Sequence, residues 1–188
     1  MSRQHKRRQV LQAALVLGAA IPAFGGAGAA DEPKKVRPQA GDRFVFLSGD
    51  RKGEIVRPED LPLGGPQVVA WPVDPATSTV RDGSRLNQVL LARFAEEELS
   101  EATRANAAEG VVAYSAACTH AACPVSMWKK ESEALYCACH GSEYDPRDSA
   151  RIIAGPAPKR LAMLPLQIEG GELTAAGTFT GQVGAVKR

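Results

Sequence analysis

Six of the seven cysteines and histidines in this 188-residue chain fall in one window: Cys118, His120, Cys123, Cys137, Cys139 and His140, with only His5 outside it. They form two boxes, Cys118-Thr119-His120-Ala121-Ala122-Cys123 and Cys137-Ala138-Cys139-His140-Gly141-Ser142, separated by 13 residues. Each box offers a thiolate and an imidazole, in Cys-X-His or Cys-X-X-His order, plus one further cysteine. Two thiolates and two imidazoles can hold a binuclear iron–sulfur centre unevenly, with sulfur on one iron and nitrogen on the other. Two plainer chemistries compete with that reading. Structural zinc takes four ligands where six are offered, and one residue between Cys118 and His120 is a tight spacing for it. Two structural disulfides would use the cysteines and leave both histidines unexplained. The same arithmetic excludes a second site, because nothing outside the window except His5 could serve a Ser-His-Asp triad, a Cys-His pair or a two-His iron.

The double box resembles the Rieske iron–sulfur family, and specifically its disulfide-containing branch. The resemblance continues through Gly141-Ser142-Glu143-Tyr144-Asp145 and Gly155-Pro156-Ala157-Pro158. It implies a Rieske-type 2Fe-2S cluster, with Cys118 and Cys137 as sulfur ligands of the inner iron. His120 and His140 correspond to the nitrogen ligands of the outer iron, and Cys123 and Cys139 to a disulfide joining the two cluster loops. Residues 155–158 correspond to a proline-bearing third loop over the cluster. Ser142 and Tyr144 resemble hydroxyl donors to a bridging sulfide and to a ligand cysteine, which favour the reduced, more negative cluster and raise its potential. Two positions depart from the usual pattern. Ala122 replaces a glycine before the second cysteine of box one, and Ala138 replaces a proline inside box two. A loop that needs positive φ at residue 122 would be strained there by about 1 kcal/mol.

The elements that must position these boxes read as strands. Short apolar runs recur between turn signals at Phe44–Leu47, Val68–Trp71, Gln88–Arg93, Gly110–Ser115, Ala134–Tyr136, Arg151–Ala154, Leu161–Ile168 and Glu172–Ala175. Asp82-Gly83 and Glu169-Gly170-Gly171 stand where tight hairpin turns would. Only Ala95–Ala108, rich in Glu and Ala and followed by Gly110, reads as helix. The expected fold is all-β: an antiparallel Rieske-type sandwich or barrel over residues 42–188, with one short helix and a small cluster-binding subdomain at about 112–160. Trp71 and Trp128 are expected to be packing groups, not electron relays.

Residues 31–41 are polar and carry proline, as a linker does. The first 30 have the layout of an export signal: a basic start, an uncharged run from Val10 to Ala30, and small residues at Ala27-Gly28-Ala29 where a peptidase could cut. Arg7-Arg8-Gln9-Val10-Leu11 resembles a twin-arginine signal, with Val10 where Phe is commoner. That route carries folded proteins, which suits a domain loaded with its cofactor before crossing. Arg3, Lys6, Arg7 and Arg8 are the only charges in this segment, so 19 basic and 21 acidic residues follow it and the body carries a net charge of −2. A near-neutral body, in a chain with only 10 aromatic residues, lacks the basic face of a nucleic-acid binder.

The sequence marks no independent catalytic site in a domain of this size. The resemblance implies a one-electron carrier subunit in an oxidoreductase complex of the periplasm or the periplasmic face of the inner membrane, with the N-terminal segment as signal or anchor. Its redox partners would be a cytochrome b or c with quinol as donor, as in cytochrome bc complexes, or a molybdopterin large subunit, as in the arsenite-oxidase type. The alternatives are a Rieske ferredoxin feeding an oxygenase and a non-redox zinc or disulfide domain.

Overall fold

Alternation of side chains across a strand puts successive residues on opposite faces, so a strand covered on both sides reads as an unbroken apolar run. Val89–Arg93 and Val111–Ser115 are such runs, and they pair antiparallel at the centre of the molecule. The computed structural model describes residues 32–185; the export-signal reading of residues 1–30 lies outside them. In chain order the strands are β1 (Arg43–Phe46), β2 (Val68–Asp74), β3 (Thr79–Val80), β4 (Val89–Arg93), β5 (Val111–Ser115), β6 (Met127–Lys129), β7 (Ala134–Cys137), β8 (Ser142–Asp145), β9 (Arg151–Ala154), β10 (Leu166–Glu169) and β11 (Glu172–Ala175). They form three antiparallel sheets: β1-β2-β4-β5 with β3 beside β2, then β6-β7-β8-β9, then the hairpin β10-β11. The all-β architecture matches the expectation.

Two hydrophobic cores lie on opposite faces of the central pair. Val89 and Leu91 of β4 and Val111 and Ala113 of β5 face a core completed by Phe44, Leu164, Leu173 and Ala175. Leu90, Ala92, Val112 and Tyr114 face the other way, into a core shared with Leu135, Cys137, Tyr144 and Leu161. The second core therefore contains the floor of the cysteine-histidine window. Tyr114, fully buried, closes it by donating its hydroxyl to the Pro146 carbonyl at 2.7 Å.

Several expected elements differ. The 95–108 segment holds only a 3-10 turn at Glu96–Glu98 and one α-helix, α1 (Glu101–Arg104). Leu99 is extended and the Ser100 side chain accepts the Thr103 N–H, so a fresh start at Ser100 splits the run. Asp82-Gly83 does not turn a hairpin; it leads from β3 to a 3-10 turn at Arg85–Asn87. Only the end of Leu161–Ile168 is strand. Gly170-Gly171 does close the β10-β11 hairpin, with both φ positive, as a two-residue turn requires. Trp128 packs at 6.5 Å from Phe94, as a core group does.

One buried ion pair ties the edge of the large sheet. Asp42 and Arg81 are both buried and joined by two hydrogen bonds, Nε to Oδ2 at 2.6 Å and Nη2 to Oδ1 at 2.9 Å. Hydrogen bonding to the Asp42 carboxylate holds the guanidinium above its usual range. Removing one partner of a buried pair strands the other charge, at a cost of about 3–5 kcal/mol. Asp42→Ala should lower unfolding stability by about that amount in denaturant titration, and a loss below about 1 kcal/mol would show that water reaches Arg81.

Candidate metal centre

The end of β5 delivers Cys118, and the turn from β7 to β8 delivers Cys137 and His140. In that hairpin Cys137 faces Ser142 across the ladder, and the Gly141 N–H closes the turn on the Cys137 carbonyl at 3.0 Å. Alternation along β8 then puts Ser142 and Tyr144 inside with the sulfurs, while Glu143 faces away to Lys129 and Ser132. The Lys129 ammonium holds the Glu143 carboxyl below its ordinary range.

The site is graded from dry to wet. Cys118, Cys137, Ser142 and Tyr144 are buried, His120 is half-buried and His140 exposed. The two imidazoles stand edge to face, their Nδ1 atoms 3.2 Å apart, so both nitrogens converge on one point at the open end. Burial pushes the Cys137 thiol up to about 12. Burial also pushes the Cys118 thiol up, but hydrogen bonds led by the Tyr144 hydroxyl outweigh it and hold that thiol below its usual value. The Tyr144 hydroxyl lies 3.2 Å from the Cys118 sulfur. Cys123 and Cys139 are neighbours nearer the surface, and the sulfurs of Cys123, Cys137 and Cys139 lie within 4.8 Å of one another.

These residues suit a cluster with sulfur ligands inside and nitrogen ligands outside. Soft thiolates sit deep, imidazoles sit at the exit, and the buried Ser142 hydroxyl has no hydrogen-bond partner within the protein. An orphaned buried hydroxyl costs about 1–3 kcal/mol, so its place beside the sulfurs points to an acceptor held there.

Thr119, between the two box-one candidates, carries a role that sequence reasoning missed. Its N–H donates to the Tyr144 hydroxyl at 3.3 Å and its own hydroxyl to the Lys159 carbonyl at 2.6 Å, joining box one, β8 and the segment after the third loop. Its position inside the box was the available signal. The third loop closes from the other side. At Gly155, φ is +85°, and a Cβ there would stand 2.5 Å from the Gly141 carbonyl oxygen and the Ser142 Cα, so only glycine lets the loop lie on the box-two turn.

The family model for the Rieske [2Fe-2S] domain matches residues 71–165, half of the chain, and the chain belongs to that family. A 2Fe-2S cluster is its cofactor. A candidate respiratory nitrate reductase Rieske subunit of Haloferax mediterranei is 40% identical over 106 residues, covering 55% of this chain and 47% of its own. The cytochrome bc1 complex Rieske iron-sulfur subunit of Streptomyces lividans is 43% identical over 77 residues, covering 40% and 45%, and that of Mycobacterium tuberculosis 32% identical over 145 residues, covering 69% and 34%. The chain thus spans less than half the length of each of these relatives. Among solved structures, the soluble domain of Rieske protein II from Sulfolobus acidocaldarius aligns at a TM-score of 0.34 and 26% identity, over 40% of this chain and 46% of that one.

The expected strain at Ala122 is present: its φ is +55°, in the left-handed region. A side chain there costs about 1 kcal/mol relative to glycine, partly offset by the freer unfolded chain that glycine brings. Ala122→Gly should therefore raise the unfolding free energy modestly, by up to about 1 kcal/mol in denaturant titration, and a drop instead would show that the Ala122 methyl is needed for packing.

Proposed function

We propose that this chain is a one-electron carrier subunit of an exported respiratory oxidoreductase. Cys118 and Cys137 bind the inner iron and His120 and His140 the outer, and Cys123 and Cys139 close a disulfide between the loops. The carrying observation is the convergence of the two Nδ1 atoms at the open end, with the two buried sulfurs behind them. The bound cluster supplies reversible uptake of one electron. The protein keeps water from the sulfur end, holds the imidazoles where a donor or acceptor can approach, and aims two hydroxyls at the buried side. Ser142 and Tyr144 act as donors that favour the reduced state.

The partner reading favoured by the Streptomyces and Mycobacterium relatives is a cytochrome bc-type complex with quinol as donor. The Haloferax relative, named for a nitrate reductase, supports a molybdopterin large subunit as the second reading. The basic start and uncharged run of residues 1–30 support twin-arginine export to the periplasm or to the periplasmic face of the inner membrane. Among the described residues no helix is long and apolar enough to cross a membrane.

Low-temperature electron paramagnetic resonance on the reduced, anaerobically prepared protein, with potentiometric titration, tests the assignment. A rhombic Rieske spectrum is expected in wild type. It should be lost when Cys118, His120, Cys137 or His140 is replaced; protein containing zinc and no iron would refute it. In Tyr144→Phe the spectrum should persist with the potential lowered by about 40 mV, the one-electron equivalent of about 1 kcal/mol for one hydrogen bond. The paired change Cys123→Ser with Cys139→Ser should shorten cluster lifetime without preventing assembly; unchanged lifetime would argue against the disulfide.

A further inference from the structure

The loop from His120 to Cys123 is gripped by a residue distant in sequence. Arg85 opens the 3-10 turn that precedes β4, and its Nη1 donates to the carbonyl of Ala122, the residue held at positive φ. The grip is firm because that turn is itself fixed. The Ser84 side chain caps it by accepting the Leu86 N–H at 3.3 Å. Asn87, fully buried, donates its amide to the carbonyls of Val36 at 2.8 Å and Arg81 at 3.1 Å, and the Gln88 carbonyl accepts the Ala116 N–H at 3.0 Å. The loop's own bonds run from the Ala122 N–H to the Cys118 carbonyl and from the Cys118 N–H to the Cys123 carbonyl, both 2.8 Å, so a pull on Ala122 is a pull on Cys118. Arg85 is exposed, and its bond to the Ala122 carbonyl places its charge one residue from Cys123.

We propose that Arg85 is a positioning residue for the cluster centre: it clamps the box-one loop in its left-handed turn and fixes a positive charge beside it that raises the reduction potential. The inference rests on reading Cys118 and His120 as ligands. One-electron reduction adds a negative charge to the cluster, and a cation held nearby favours that state. Arginine suits the task because its planar, permanently charged head loses little freedom when it meets a carbonyl.

The test compares wild type, R85Q and R85K as full chains carrying the cluster. Hydrogen–deuterium exchange of residues 117–125, read by mass spectrometry, should be roughly tenfold faster in R85Q, as expected for loss of one charge-assisted hydrogen bond. The midpoint potential of R85Q should be lower than wild type, and R85K, which keeps charge and donor, should recover most of the shift. Unchanged exchange or unchanged potential in R85Q overturns the proposal, as does an R85K potential as low as that of R85Q. A wild-type protein without a Rieske spectrum would instead overturn the reading of the site itself, so the two failures are distinguishable.

Discussion

The double-sided burial of the β4-β5 pair is the constraint on which the molecule depends. Both strands are apolar on each face, and their alternate residues serve two separate cores. One core stabilises the large sheet against the β10-β11 hairpin. The other binds that sheet to the smaller one carrying box two. Cys118 follows three residues after β5, so the position of the first sulfur is inherited from a strand that cannot shift register without exposing one core or the other.

From that fixed point the site is assembled by main-chain ladders and a few side-chain ties. The β7-β8 register sets Cys137 across from Ser142, and the period of two along β8 sends Tyr144 to the Cys118 sulfur and Glu143 to Lys129. Thr119 and Gly155 then bring the segments on either side of residues 156–158 against the two boxes, one by hydrogen bonds and one by close backbone contact. Polarity falls from the imidazole end inward, which is the order in which nitrogen and sulfur donors tolerate burial.

That the two boxes would meet in space was legible in the sequence, because metal-binding residue types are rare and are concentrated there. The central strands were legible for a similar reason, since an unbroken run such as Val89–Leu91 has few other uses. Residues 95–108 read as one helix because Ala and Glu favour helix locally, whereas Ser100 restarts the chain in a new direction. β8 carries no apolar run to mark it as a strand, and its period of two shows only in the opposite facing of Tyr144 and Glu143. Thr119 and Arg85 act through partners 40 and 37 residues away, and no local pattern marks such pairings.

The Thr119 bridge also bears on how quickly an electron can arrive and leave. Its hydroxyl and amide fasten three segments around the buried end of the site, and the Tyr144 hydroxyl it supports faces the Cys118 sulfur. Dipoles held in this way have already adopted the orientation that the added charge would otherwise have to induce. A cluster enclosed by such fixed groups would relax little when its charge changes by one, and would carry a small reorganisation energy. The scaffold that would keep the cluster in place would thereby also lower the barrier to its redox cycle.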